Sequence, residues 1–156
     1  MSEVVGRDGE WGLPTPSHLD RRLDVTWRLA QRVVAPGAHT RATVTVRNLA
    51  GESLDVSYSK VAGGVTRPGV DGYLGVFGEF VPGVVRRAHI APGDSIEFEA
   101  LVGTRALRGE HLEDGEYVAV VAVTLGVGTS RTKATYVLRA PLVVKSATES
   151  LRGAFA

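Results

Sequence analysis

The sequence contains no cysteine among its 156 residues. Disulfide bonds, thiolate metal sites and cysteine nucleophiles are therefore excluded. Aromatic residues are scarce, at 6%, so we expect an aliphatic core in which valine is prominent. No apolar run of about 18 residues exists, and the N-terminus lacks a signal-peptide pattern. These absences favour a cytoplasmic protein, or a part of a particle assembled in the cytoplasm.

A strong excess of charge of one sign is also absent, since the formal net charge is +1. The predicted second strand carries Arg41 and Arg47 on its outward face, and the predicted fifth strand carries Glu97 and Glu99. Opposite charges on neighbouring strands neutralise one another. We therefore predict that neither nucleic acid nor a membrane is a partner.

No motif of catalysis or cofactor binding is present. The four histidines, His18, His39, His89 and His111, lie far apart and lack metal-binding spacing. The glycines between 69 and 78 recur every third residue, but neither a P-loop lysine nor a predicted helix follows them. The sequence contains no Gly-x-Ser-x-Gly string of serine hydrolases. We predict no enzyme activity, no cofactor and no metal.

Apolar and polar residues alternate with a period of two in several short segments, and this pattern is typical of strands. The clearest segment is 41–47, in which Ala42, Val44 and Val46 are predicted to face inward. Turn residues separate about seven to nine such segments, which predicts an all-β, antiparallel sandwich. We expect an extended arm over 1–20, the sandwich over 21–145 and a tail over 146–156.

The stretch from Leu112 to Tyr117 resembles the tyrosine corner of immunoglobulin-like Greek-key domains. The strings VVAPGAHTRATVTVRN and HIAPGDSIEFEA precede it. Together they are similar to the immunoglobulin-like class that includes the intracellular proteinase inhibitor family. The resemblance implies a Greek-key sandwich over 23–144, with the Tyr117 hydroxyl bonded to the crossing loop, Gly115 in the tight turn and Leu112 packed beneath. No protease-binding loop matches residue by residue.

The predicted sixth strand, which begins at Tyr117 and contains the apolar run from Val118 to Leu125, is apolar on both faces, so it must be covered twice. Either the glycine-rich segment 61–83, an irregular insertion, covers its outer face, or a partner subunit does. The arm poses a similar choice, because its apolar residues either dock on the same molecule or reach a neighbouring subunit. The predicted interaction surface comprises Trp11, Tyr73, Phe77, Phe80, Val118, Val120 and Val137.

We interpret the chain as a non-catalytic protein interaction module that binds a protein partner or forms a homo-oligomer. It would do so through one sheet face and its terminal arms. Two alternatives remain open at this point. One is a structural component of a phage or capsid-like particle, and the other is a small-molecule carrier.

Overall fold

The structure is a computed structural model that describes residues 12–146. Within that range the fold is all-β and contains no helix. Its eleven strands are β1 (Leu23–Leu29), β2 (Val33–Val34), β3 (His39–Asn48), β4 (Leu54–Tyr58), β5 (Val61–Thr66), β6 (Gly75–Val76), β7 (Arg86–Ile90), β8 (Ser95–Gly103), β9 (Arg105–Ala106), β10 (Gly115–Val127) and β11 (Ala134–Val144). Three of them, β2, β6 and β9, are two residues long.

The period-two pattern of β3 determines how the strand packs. Ala42, Val44 and Val46 are buried, whereas Arg41 and Arg47, which flank this set, are exposed. Alternate side chains of a strand point to opposite faces, so the apolar set lies on one side. That side joins a core cluster which also contains inward residues of β10, and two sections of the sheet therefore face each other.

The strands are hydrogen-bonded in the order β1-β3-β8-β5-β10-β11-β2, with β4 beside the end of β10 and β7 beside β4. The prediction of a purely antiparallel fold is wrong at two places. The first half of β5 is parallel to β8, and β2 is parallel to β11. A hairpin forces two strands to be antiparallel, but no hairpin joins either of these pairs. Their direction is set by packing.

Tyr117 lies at the start of β10, where its buried ring is covered by the guanidinium of Arg67, 4.3 Å from the ring centre. Its hydroxyl donates a hydrogen bond of 2.7 Å to the carbonyl oxygen of Glu113. Burial raises the pKa of this hydroxyl. Gly115 has a φ of 150°, which other residues rarely adopt, and Leu112 packs against the core. The loop before β10 is therefore fastened to the strand that it enters.

The outer edge of β11 is closed along most of its length. Thr135 exchanges two main-chain hydrogen bonds with Ser17, and Val143 donates to the carbonyl of Arg32. Between them the indole of Trp27 donates to the carbonyl of Arg139 at 3.1 Å. Pro141 lies two residues from Val143, so its missing N–H would also face this edge. Few groups of this edge are left to pair with another chain.

The predicted N-terminal arm lies against the rest of the chain wherever the structure describes it. Besides the bonds of Ser17, the main chain of Asp20 both donates to and accepts from the hydroxyl of Tyr136, at 3.1 and 3.0 Å. Residues 12–20 therefore dock on the same molecule. Trp11, residues 1–10 and most of the tail lie outside the described residues.

Candidate interaction surface

The outer face of β10 is covered by the glycine-rich segment of the same chain. Val120 has no exposed surface. The hydroxyl of Tyr73 donates to the carbonyl oxygen of Val120 at 3.2 Å, and Gly64 of β5 is paired with the same residue. Val120 is consequently closed to any partner in this conformation, which corrects its place in the predicted surface. Val118 and Val137 on this face are half-buried.

Glycine is required where the segment meets its neighbours. A Cβ on Gly103 would collide with the main chain of Phe77, and a Cβ on Gly64 would collide with the main chain of Gly75. These contacts bring β5, β6 and β8 closer than side chains allow. Close packing against main chain therefore accounts for Gly63 and Gly64 of the segment 61–83, whereas a Cβ on Gly69 or Gly83 would meet nothing within 4 Å.

Tyr73 provides a spectroscopic test of this covering, because burial raises its pKa to about 12, although Arg139 opposes the shift. The ordinary pKa of tyrosine is about 10. The folded state therefore retains a proton that the unfolded state releases, and stability should fall as the pH rises from about 10 to about 12. In an ultraviolet titration of the four tyrosines, we expect Tyr73→Phe to remove a transition near pH 12. If Tyr73→Phe instead removes a transition near pH 10, the ring of Tyr73 is exposed to solvent.

The two phenylalanines of the predicted surface have different environments. Phe77 is half-buried and packs edge-on against His39, with ring centres 5.1 Å apart. Phe80 has 87% of its surface exposed, and Val84 and Val85 are each 59% exposed. These three apolar residues lie in one irregular stretch, 79–85, which we call the apolar loop. Of the predicted surface residues in the described range, Phe80 is the one that is mostly exposed, whereas Tyr73, Phe77, Val118 and Val137 are half-buried.

The apolar loop leads directly into β7, which borders a cleft of about 930 Å³. Ser57 and Gly126 are paired across its floor, and the turn between β10 and β11 forms its opposite wall. The cleft is lined by Asp55, Val56, Ser57, Val85, Arg87, Ala88, His89, Gly126, Gly128, Thr129, Ser130 and Lys133. It therefore joins apolar side chains to hydroxyls and charged groups.

The charges of this cleft are mainly basic. His89 Nδ1 lies 2.7 Å from a carboxylate oxygen of Asp55, and both side chains are largely exposed. Arg87 and Lys133 also line the cleft, and no described carboxylate lies within ion-pair distance of either. A ligand that carries carboxylates would be complementary to this wall.

Sequence reasoning found Phe80 but missed the rest of this surface. Asp55 and His89 are 34 residues apart, so their spacing gave no sign of a contact. A signal for the loop was nevertheless present, because Pro82 and Gly83 are followed by two valines and two arginines. Such a junction of turn, apolar pair and charge indicates an exposed segment that enters an edge strand.

The predicted salt links of the opposite face are partly present. Arg41 Nε lies 3.4 Å from one carboxylate oxygen of Glu99, and Lys60 Nζ lies 2.6 Å from the other. The hydrogen bond from Lys60 lowers the pKa of Glu99, and desolvation opposes it. Between residues 12 and 146 no cluster of three potential metal ligands occurs, and no helix long enough to span a membrane occurs there either.

Comparisons with known proteins define no family for this chain. No family model and no curated protein matches it. Among solved structures, a β-glucosidase of Erythrobacter marinus is 13% identical with a TM-score of 0.42, over 83% of this chain and 16% of that one. The sporulation control protein Spo0M of Bacillus subtilis is 15% identical with a TM-score of 0.40, over 80% and 49%. A β-glucosidase of Listeria innocua is 12% identical with a TM-score of 0.37, over 80% and 16%. The chain thus spans less than half of each of these structures.

Proposed function

We propose that the chain is an immunoglobulin-like Greek-key module, related in architecture to the class that includes the intracellular proteinase inhibitor family. The support is the grouping of β1, β3 and β8 beside one another and of β4, β10 and β11 beside one another. The hydrogen bond from Tyr117 to the loop before its strand is the second support. The two parallel pairings, β5 with β8 and β2 with β11, depart from a simple antiparallel sandwich.

We further propose that this module is non-catalytic and binds another protein. The observation that carries this proposal is the apolar loop, in which Phe80, Val84 and Val85 expose most of their surfaces within six residues. Isolated exposed apolar side chains are common on soluble proteins, but a contiguous group is typical of a binding surface. Phe80 is the most exposed of them, and buried aromatic residues often dominate the affinity of an interface.

The test compares Phe80→Ser with a matched control, Leu49→Ser, since Leu49 is 57% exposed but lies in a turn away from the loop. Proteins captured from the native source are identified by mass spectrometry, and affinities are then measured with the purified partner. We expect Phe80→Ser to weaken binding by about tenfold to a hundredfold, as a typical aromatic anchor does. The control should bind like the wild type.

Self-association is examined in parallel by gel filtration with light scattering. If the partner is a second copy, the wild type should form a concentration-dependent oligomer that Phe80→Ser reduces to the monomer. Equal behaviour of both variants in capture and in light scattering would contradict the proposal, because an interface built on the loop has to respond to the loss of its ring.

A further inference from the structure

The cleft-side strand β7 is paired on one side only. Gly128 donates to the carbonyl oxygen of Asp55 at 2.8 Å, so the main chain of Asp55 faces β10. Main-chain groups alternate between the two sides of an antiparallel strand, so those of Val56 face β7. Val56 is paired with Ala88, whose main chain consequently faces β4. The residues on either side of Ala88 therefore direct their N–H and C=O groups away from the sheet.

Those two residues are Arg87 and His89, and their main-chain groups have no hydrogen-bond partner in the described part of the chain. An unpaired row of this kind accepts a further strand, as in peptide recognition by strand addition. The edge of β11 differs, because Ser17, Trp27 and Arg32 each form a hydrogen bond with its main chain. The edge of β7 has no such bonds among the described residues.

Charge decides which strand can pair here. Along β7 the side chains of Arg86, Arg87 and His89 are exposed, and Lys133 lies across the cleft. The carboxylate that lines the cleft is that of Asp55, which is paired with His89. A second copy of β7 would bring two further arginines to this edge, and like charges on neighbouring strands destabilise the pair. An acidic strand would instead find unpaired cations.

We infer that β7 accepts an extended, acidic segment of another protein as an added strand. The main chain of that segment pairs with Arg87 and His89. Its alternate side chains lie over the cleft, where carboxylates meet Arg87 and Lys133, and a neighbouring apolar residue contacts Val85. The inference rests on the proposed protein-binding function and specifies the chemistry of the partner.

The first experiment measures the binding of fluorescein-labelled peptides by anisotropy. The probe is a short peptide in which glutamate alternates with threonine and valine, and the matched probe has glutamine in place of every glutamate. We expect the glutamine peptide to bind about tenfold more weakly, and we expect added salt to weaken the glutamate peptide selectively. Equal binding of the two peptides would overturn the role of charge.

Strand addition also requires main-chain hydrogen bonds along one side of the peptide, which charge attraction alone does not require. N-methylation of alternate amides removes donors from one side of the peptide only, so one methylated register should lose binding and the other should keep it. If both registers bind alike, the peptide does not pair with the edge, and the inference fails.

The protein side is tested with Arg87→Glu and with a control, Arg47→Glu, which changes an exposed arginine of β3. Arg87→Glu should weaken the glutamate peptide by more than about tenfold and should favour a lysine version of it, whereas the control should do neither. If the glutamate peptide does not bind but Phe80→Ser still loses its captured partner, the inference of an added acidic strand is wrong and the proposed function stands. Normal capture by Phe80→Ser would instead contradict the proposed function.

Discussion

Gly64→Ala should destabilise the fold by about 3 kcal/mol or more, the upper range for overpacking in a core. Gly64 lies in β5 between Val120 of β10 and Val76 of β6. A Cβ at this position would stand 2.8 Å from the Cα of Val76, and it would press on the carbonyl group of Gly75. Main chain cannot move aside as a flexible side chain does, so β6 has to shift away.

The measurement is urea unfolding followed by circular dichroism, with Gly51→Ala as the matched control. Gly51 lies in a turn, and a Cβ there would meet nothing within 4 Å. The control should stay within about 0.5 kcal/mol of the wild type. Similar unfolding midpoints for both variants would mean that β6 does not approach β5 as closely as the structure has it.

Sequence patterning predicted best the strands that have one face exposed to solvent and the other face in the core. In β3, the inward residues Ala42, Val44 and Val46 are buried as expected from the period of two. The same reasoning missed β7, because Arg86, Arg87 and His89 hide an alternation whose inward side consists of Ala88 and Ile90. A strand with a small apolar side has too weak a pattern to be recognised.

Contacts between distant segments were beyond prediction for a different reason. The hydrogen bond between Tyr136 and Asp20 joins residues 116 positions apart, and nothing in the sequence around either residue indicates this contact. The predicted sixth strand, which is β10 in the structure, shows the same limit. Its two apolar faces indicated double burial, but the fold determines that Tyr73 bonds to the carbonyl oxygen of Val120 and that Gly64 lies beside Val120 in the sheet. The sequence pattern predicts which residues are buried, but the tertiary structure determines which groups cover them.

The burial of Val120 predicts a second large loss of stability. Val120→Glu should destabilise the protein strongly, because Val120 is fully buried and a larger, charged side chain would have to lie there beside Arg139, its cross-strand neighbour in β11. Taking a charged group out of water costs several kcal/mol even when a partner is near, and this is a large part of the stability of a typical domain. Val33→Glu, at a valine that is 54% exposed, serves as control and should fold normally.

The decisive observation for Val120→Glu is its dependence on protein concentration. If the glycine-rich segment covers Val120, the loss of stability belongs to the single chain, and urea unfolding should shift equally at low and high concentration. A covering supplied by a partner subunit would behave differently, since the variant would then fold as a stable, soluble monomer and lose only its association. Circular dichroism and light scattering on the same samples separate these outcomes, and a folded monomeric variant would require Tyr73 and β5 to lie elsewhere.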